Sequence, residues 1–297
     1  MSILGTRVLR TEDPGFLSTG AIYTEDVQDE RLAGACYVHF VRSTVAHAKI
    51  SSIDVSAALE APGVLAVYTA KDLAEAGLKP LSPMMPNMNQ AMKAPLLAGD
   101  TVRFVGEPVA AVVTEEMYQG EDAIELVDVD YDILPAVATM HQALSGERGL
   151  LFPDAGTNVV VTFGKKDASN PDLFEGCEVV VSEVIQNQRV AAAPMESRSG
   201  AAAWGDDGRL TAWIPNQGAQ GTKGAIVGML GLKPEDVRII TPDVGGAFGA
   251  KFGADAEHAV TCWAARQLGR PVRWSETGRC GSMAVTTPRP RGRSQHS

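Results

Sequence analysis

The stretch TPDVGGAFGAKFG, residues 241–253, places glycines on both sides of Phe248 and a lysine three positions after it. A phosphate-binding Walker A loop needs G-x-x-x-x-G-K followed by Ser or Thr. Here Phe252 follows the lysine, and the glycines are spaced one position too closely. The G-x-G-x-x-G fingerprint of dinucleotide-binding folds is absent as well. The spacing therefore argues against both common nucleotide loops.

The same stretch lies between a predicted strand, VRIIT (237–241), and a predicted helix that begins at about Ala254. Glycines at such a junction allow backbone N–H groups to point at an anion without interference from a Cβ atom. Phe248 would then lie beside the ligand. The alternative is a tight strand-to-helix turn in which glycine only relieves strain. The spacing alone leaves both interpretations open.

Composition and charge narrow the class of protein. The chain has 297 residues, 45% of them hydrophobic, and a formal net charge of −10, which argues against a nucleic-acid partner. We expect no membrane span, because no apolar run is long enough, and the N-terminus lacks a signal-peptide pattern, which favours a cytoplasmic location. The four cysteines form no C-x-x-C pair, so the sequence predicts no zinc or iron–sulfur site in this chain.

Strand-like and helix-like segments alternate along the chain, which predicts the α+β class. The predicted strands lie at 32–41, 49–55, 64–69, 108–114, 127–133, 177–185, 209–214, 237–241 and 270–276, and the predicted longer helices at about 225–230 and 254–269. The predicted organisation is an N-terminal extension (1–16), a first domain (17–135), an incomplete second domain (136–277) and a tail (278–297). The tail has four arginines and no acidic residue, so we expect it to be disordered; binding of an anionic partner is the alternative.

The glycine loop is accompanied by further characteristic segments in a fixed order: RTEDPGFLSTGAIYTEDV (10–27), VRSTVAHAKISSIDVSAALEAPGVLAVYTAKDL (41–73), VGEPVAAVVTEE (105–116), NQRVAAAPMESRSG (187–200) and TAWIPNQGAQGTKGAIVGMLGL (211–232). This series resembles the large, molybdopterin-binding subunit of the xanthine dehydrogenase and aldehyde oxidase family. The resemblance is to the branch with separate subunits that includes carbon monoxide dehydrogenase, and it covers about residues 8–277.

The resemblance implies an a/b hammerhead domain at 17–135, followed by the first part of the molybdopterin-binding domain. The implied cofactor is molybdenum–molybdopterin, in its simple or cytosine-dinucleotide form, and the pterin rather than any side chain carries the metal. The residues that match the family's cofactor contacts are Gln217, Gly218, Gly245, Gly246, Ala247, Phe248 and Gly249.

The same resemblance implies roles for two side chains, those of Gln217 and Glu196. Gln217 matches the glutamine beside the metal's apical oxo ligand, where its amide N–H₂ would donate a hydrogen bond. Glu196, in PMESR (194–198), matches a segment beside the active site. We assign it to a structural salt bridge or hydrogen bond rather than to acid–base catalysis, because structural carboxylates outnumber catalytic ones.

The chain departs from the family in one respect that bears on activity. The family's catalytic glutamate lies in a G-x-G-E segment, and no G-x-G-E occurs in this sequence. We therefore expect no catalytic residue in this sequence. We expect the chain to be an N-terminal portion of an enzyme that hydroxylates an aldehyde or N-heterocycle C–H with water as oxygen source, or that oxidises CO. Such a portion would be inactive alone. The alternatives are a non-catalytic remnant, one half of a split enzyme, and an unrelated phosphate binder. The implied partners are an FAD-binding medium subunit, a 2Fe–2S small subunit and a C-terminal half.

Overall fold

The computed structural model describes residues 4, 5, 7–163, 171–183, 185 and 190–277. The predicted tail, 278–297, lies outside the described residues. Within them, ten strands form two sheets, and seven α-helices pack against or between the strands. None of the helices in this part of the chain is long and apolar enough to cross a membrane.

The strands are β1 (Cys36–Arg42), β2 (Ala48–Asp54), β3 (Val64–Thr69), β4 (Thr101–Val102), β5 (Pro108–Thr114), β6 (Asp128–Ile133), β7 (Ser199–Trp204), β8 (Leu210–Trp213), β9 (Val237–Ile240) and β10 (Val272–Ser275). The helices are α1 (Asp13–Ser18), α2 (Ser56–Leu59), α3 (Ala70–Glu75), α4 (Gly120–Glu125), α5 (Met140–Ser145), α6 (Ala219–Leu230) and α7 (Ala256–Leu268).

The larger sheet has seven strands in the order β3-β5-β1-β10-β7-β8-β9. Its neighbours are antiparallel except for β1 with β10 and β8 with β9, which run parallel. The sheet therefore joins three strands of the first predicted domain to four strands of the second. The parallel pair at this junction is short, with only Cys36 opposite Val272 and Tyr37 opposite Arg273. The division at residue 135 stays a prediction.

Successive side chains of each strand point to opposite faces of this sheet, and both faces are buried. On one face, α7 and α6 cover a cluster that includes Val38, Val113 and Trp274. On the other face, Ala110 and Val112 of β5 pack against residues of α2 and α4. Every residue of β5 is buried, as expected for a strand covered on both sides. The smaller sheet, in the order β4-β2-β6, is antiparallel and packs beside the first domain's end of the large sheet.

Strands β8 and β9 and the helix between them form a β–α–β unit, which brings the carboxyl ends of both strands to one edge of the sheet. Helix α6 ends at Gly231, which adopts a left-handed conformation with φ +66°. The chain segments that follow β8 and β9 carry the predicted cofactor residues. The fold therefore places residues 214–218 and 241–253 side by side.

Most predicted strands are present, with three differences. The two-residue strand β4 is not among the predicted strands. The predicted strand at 177–185 is wrong: residues 177–183 and 185 form neither strand nor helix, and Val179, Val180 and Val181 are exposed. The apolar pattern alone made this segment strand-like, but a strand also needs a hydrogen-bonded neighbour. Conversely, β7 was not predicted, because its sequence SGAAAW lacks the β-branched residues that mark strands.

Candidate functional site

The glycine loop runs from the end of β9 to the start of α7 and contacts the segment after β8. Ile214 N donates to Ile240 O at 3.0 Å, which continues the parallel pairing of β8 and β9 by one residue. Beyond this point, the Asn216 side chain donates to Thr241 Oγ1 at 2.7 Å and accepts from Gly218 N at 2.8 Å. Asn216 is buried and was not singled out from the sequence, although its neighbour Gln217 was.

Gln217 and the turn that carries Phe248 meet directly. Gly249 N donates to Gln217 Oε1 at 3.0 Å, and Gln217 N donates to Lys251 O at 2.9 Å. The Gln217 side-chain N–H₂ group makes no hydrogen bond to any residue that the structure describes, and the residue is exposed. The two predicted halves of the site are therefore in one place, and an amide donor remains free there.

The turn has an unusual backbone. Gly246, Phe248 and Gly249 have positive φ values of 96°, 48° and 87°. For phenylalanine, this left-handed conformation is strained, by about 1 kcal/mol or more. The Phe248 side chain is 77% exposed, so burial of the ring does not explain why the strain is tolerated. Backbone strain without compensating burial is typical of functional loops.

Three consecutive backbone donors in this turn are unpaired. The N–H groups of Gly246, Ala247 and Phe248 make no hydrogen bond to the described part of the chain, whereas those of Gly245, Gly249 and Ala250 do. A run of unpaired N–H groups in a turn with left-handed residues is a suitable binding surface for an anionic or oxo group. The turn can therefore present three donors to a ligand.

A buried ion pair lies beneath the turn. Lys251 Nζ lies 2.6 Å from Glu196 Oε2, and the two side chains are 1% and 8% exposed. The same carboxylate oxygen accepts from Gly245 N at 2.9 Å. Glu196 thus makes a salt bridge and a hydrogen bond, whereas the sequence interpretation expects one or the other. Its other carboxylate oxygen is buried and has no hydrogen-bond partner among the described residues.

A second buried charge cluster lies where the loop passes into α7. Arg198 Nη1 lies 2.9 Å from Asp255 Oδ2, and its Nη2 contacts Glu276 and, at 3.5 Å, Glu257. Burial acts to lower the pKa of Arg198, but the charges of Glu257, Glu276 and Asp255 raise it overall. Arg42 of β1 completes the cluster, at 2.8 Å from Glu257. These charges were not predicted, because they come from segments far apart in the sequence.

The described residues contain no group of three or more His, Cys, Asp or Glu side chains that could hold a metal ion. A cavity of about 670 Å³ lies elsewhere and is lined by Thr24, Tyr37, Glu116, Arg273 and neighbouring residues. The glycine loop is instead an open surface, bordered by the exposed side chains of Met195, Phe248 and Phe252.

Two family models match this chain. Residues 19–135 match the a/b hammerhead domain of aldehyde oxidase and xanthine dehydrogenase, and residues 151–295 match the molybdopterin cofactor-binding domain. This chain belongs to the xanthine dehydrogenase and aldehyde oxidase family. The loop described above lies within the molybdopterin cofactor-binding domain, and the chain combines the family's hammerhead domain with part of that second domain.

Individual members of the xanthine dehydrogenase and aldehyde oxidase family are similar to this chain over most of its length. The nicotine 6-hydroxylase large subunit of Paenarthrobacter nicotinovorans is 36% identical over 290 residues, covering 95% of this chain and 34% of that protein. The carbon monoxide dehydrogenase large chain of Afipia carboxidovorans is 34% identical and covers 92% of this chain and 34% of its own length. The crystal structure of quinoline 2-oxidoreductase from Pseudomonas putida 86 superposes with a TM-score of 0.83 at 33% identity, over 94% of this chain and 35% of that one. The chain thus spans about a third of the length of these family members.

Proposed function

We propose that the glycine loop and the segment after β8 form one wall of a molybdopterin-binding site in a molybdenum hydroxylase large subunit. The residues that would hold the cofactor are Gln217, Gly218, Gly245, Gly246, Ala247, Phe248 and Gly249. The observation that carries the proposal is the set of three consecutive unpaired N–H groups at residues 246–248, in a turn fixed to Gln217 by a hydrogen bond of 3.0 Å.

The donor set fits this cofactor. Molybdopterin presents oxygen atoms and a phosphate, which accept hydrogen bonds, and the turn offers backbone donors without bringing a carboxylate to its surface. Glycine at position 246 allows the turn to adopt this shape, because its φ is +96° and a Cβ there would lie 3.1 Å from the Phe248 ring and 3.3 Å from Pro194 Cβ.

Gln217 would add a side-chain donor to the backbone donors. Since its Oε1 already accepts from Gly249 N, its N–H₂ group is oriented away from that bond and is free to donate to a ligand. The same hydrogen bond fixes the amide, so the donor is positioned before any ligand binds. When bound, molybdopterin supplies the redox chemistry; the residues of this chain bind and orient it.

The reaction of the whole enzyme would be hydroxylation of an aldehyde or N-heterocycle C–H with water as oxygen source, or oxidation of CO. The named relatives support this range, since they include a nicotine hydroxylase, a quinoline oxidoreductase and a carbon monoxide dehydrogenase. The base would come from polypeptide outside these 297 residues, because the sequence has no G-x-G-E segment. FAD-binding and 2Fe–2S subunits would serve as electron-transfer partners in the cytoplasm.

Cofactor content tests the proposal. The chain is purified from a bacterial host that makes molybdopterin, both alone and co-produced with the polypeptide encoded immediately downstream. Molybdenum is measured by mass spectrometry and pterin by the fluorescence of its oxidised form. We expect pterin in at least the co-produced sample and its loss in Gly246→Ala. The matched control is Gly208→Ala, which introduces Cβ at an equally left-handed glycine (φ +76°) in a remote hairpin turn.

The alternative is that the chain is a remnant that no longer binds cofactor. Absence of pterin and molybdenum from both samples would favour this alternative and overturn the proposal. Equal loss of pterin in Gly246→Ala and Gly208→Ala would also overturn it, because the loss would then follow from general backbone strain rather than from the loop.

A further inference from the structure

We infer that the PMESR segment, residues 194–198, positions the glycine loop, with Glu196 as the main positioning residue. This inference rests on the proposed role of the loop in holding the cofactor. Glu196 N donates to Gly245 O at 3.1 Å, and Gly245 N donates to Glu196 Oε2 at 2.9 Å. The two residues therefore bind each other reciprocally, one through its backbone and the other through backbone and side chain.

The same carboxylate oxygen also binds the far side of the turn. Glu196 Oε2 lies 2.6 Å from Lys251 Nζ, and Lys251 O accepts from Gln217 N at 2.9 Å. One oxygen atom thus connects positions 245 and 251, which flank the three unpaired donors at 246–248. Both ends of the turn are therefore held by one buried carboxylate, and removing a partner of such a buried ion pair is strongly unfavourable.

Close packing reinforces these bonds. A Cβ at position 245 would lie 2.6 Å from Glu196 Cβ, so only glycine allows the loop to lie directly on the segment. At the other end of PMESR, Arg198 binds Asp255, the residue that precedes helix α7, at 2.9 Å. The segment therefore holds the loop at its beginning, at Lys251 and where it passes into the helix.

A positioning role for Glu196 can be distinguished by measurement from a general contribution to the stability of the fold. A structural ion pair would change the free energy of unfolding, whereas a positioning pair also changes the local opening of the turn in folded molecules. The amides of Gly249 and Ala250 report this opening. They donate to Gln217 Oε1 and Ala247 O, so neither depends on a direct bond to Glu196.

Hydrogen exchange on the cofactor-free chain tests the inference. In Glu196→Gln we expect the amides of Gly249 and Ala250 to exchange roughly tenfold faster while the chain remains folded. The matched control is Glu107→Gln, which alters a buried glutamate that also accepts from a backbone N–H, that of Arg103, but lies in the first domain. This control should lower the urea midpoint and leave exchange in the loop unchanged.

A double variant distinguishes the effect of an uncompensated buried charge from the loss of loop positioning. Glu196→Gln with Lys251→Met removes the uncompensated buried ammonium, so the urea midpoint should recover while fast exchange at Gly249 persists. Recovery of both together, or wild-type exchange in Glu196→Gln, would overturn the inference. Because no cofactor is present, this outcome is independent of the proposed function. If exchange responds as expected but wild-type samples never contain pterin, the proposed function fails and the positioning role stands.

Discussion

Arg42 on strand β1 lies 2.8 Å from Glu257 on helix α7, and this buried ion pair joins the hammerhead domain to the molybdopterin-binding part of the chain. The side chains are 9% and 5% exposed. The backbone connection at this junction, between β1 and β10, is only two residue pairs long. The ion pair therefore adds an attachment between the two parts beside the strand pairing, as does the more exposed pair of Glu115 and Arg270.

Arg42→Met should destabilise the chain by about 3 kcal/mol, because it leaves the carboxylate of Glu257 buried with only the more distant Arg198 to compensate it. Urea denaturation followed by tryptophan fluorescence measures the effect. Glu115→Gln is the control: it removes a carboxylate from the half-exposed pair with Arg270 and should cost less than about 1 kcal/mol. Similar losses in both variants would show that the junction pair has no special role.

Acid should weaken this junction. Burial acts to raise the pKa of Glu257, but the charges of Arg198 and Arg42 lower it, overall to about 2 from its ordinary value of 4.5. A carboxyl group with a lowered pKa in the folded state stabilises the fold above pH 4.5, and this stabilisation is lost as the pH falls toward 2. The difference in urea midpoint between the wild type and Glu257→Gln should therefore shrink between pH 5 and pH 3. A constant difference over this range would contradict the assignment.

His39 should produce a separate pH dependence at milder pH. Burial lowers its pKa from 6.5 to about 4, and its Nε2 has no hydrogen-bond partner in the described part of the chain. Below pH 6.5 the unfolded chain binds a proton that folded His39 does not, so stability falls as the pH decreases toward 4. Relative to the wild type, His39→Leu should gain about 2 kcal/mol between pH 7.5 and pH 5, measured by urea denaturation. A parallel pH profile in the two proteins would contradict this.

The fold was predictable where the sequence carries an apolar run that the sheet then buries. Strand β5 at 108–114 and strand β3 at 64–69 have the predicted bounds. Strand β7 was missed because its small residues reflect a packing requirement rather than strand propensity: a Cβ at Gly200 would lie 3.0 Å from the His258 ring. The segment 177–185 shows the opposite case, since strong propensity produces no strand there in the residues described.

The candidate site was predictable from motifs but not from charges. The family motifs indicated both Gln217 and the Phe248 turn, and the structure brings them together through the Gly249 amide. A structural role for Glu196 was also expected, but its partner was not, because nothing in the sequence links it to Lys251. The same holds for the pair of Arg42 and Glu257. Long-range ion pairs depend on the register of distant elements, which a single sequence does not specify.

Replacing the strained phenylalanine should stabilise the chain. Phe248→Gly relieves a left-handed conformation at φ +48°, and little burial is lost because the side chain is 77% exposed. We expect a gain of about 1 kcal/mol in urea denaturation. Phe248→Ala keeps the strain and should change stability by less than about 0.5 kcal/mol. Destabilisation by both variants would indicate that the ring makes contacts that offset the strain.

Gln217→Glu should lower cofactor content without disturbing the loop. The glutamate can still accept from Gly249 N, but a negatively charged acceptor replaces the free N–H₂ donor and faces a ligand that is itself rich in acceptors. Because position 217 is exposed, the free energy of unfolding in urea denaturation should change by less than about 0.5 kcal/mol. Exchange at the Gly249 amide should stay at the wild-type rate.

Gln220→Glu is the matched control for this charge change, since it makes the same substitution at an exposed position in the first turn of α6. It should keep wild-type pterin and molybdenum content. Gln217→Ala provides the third comparison, because it removes both the donor and the acceptor and should also speed exchange at Gly249. If Gln217→Glu and Gln220→Glu lose pterin equally, added charge near the loop explains the loss, and Gln217 is then no specific donor to the cofactor.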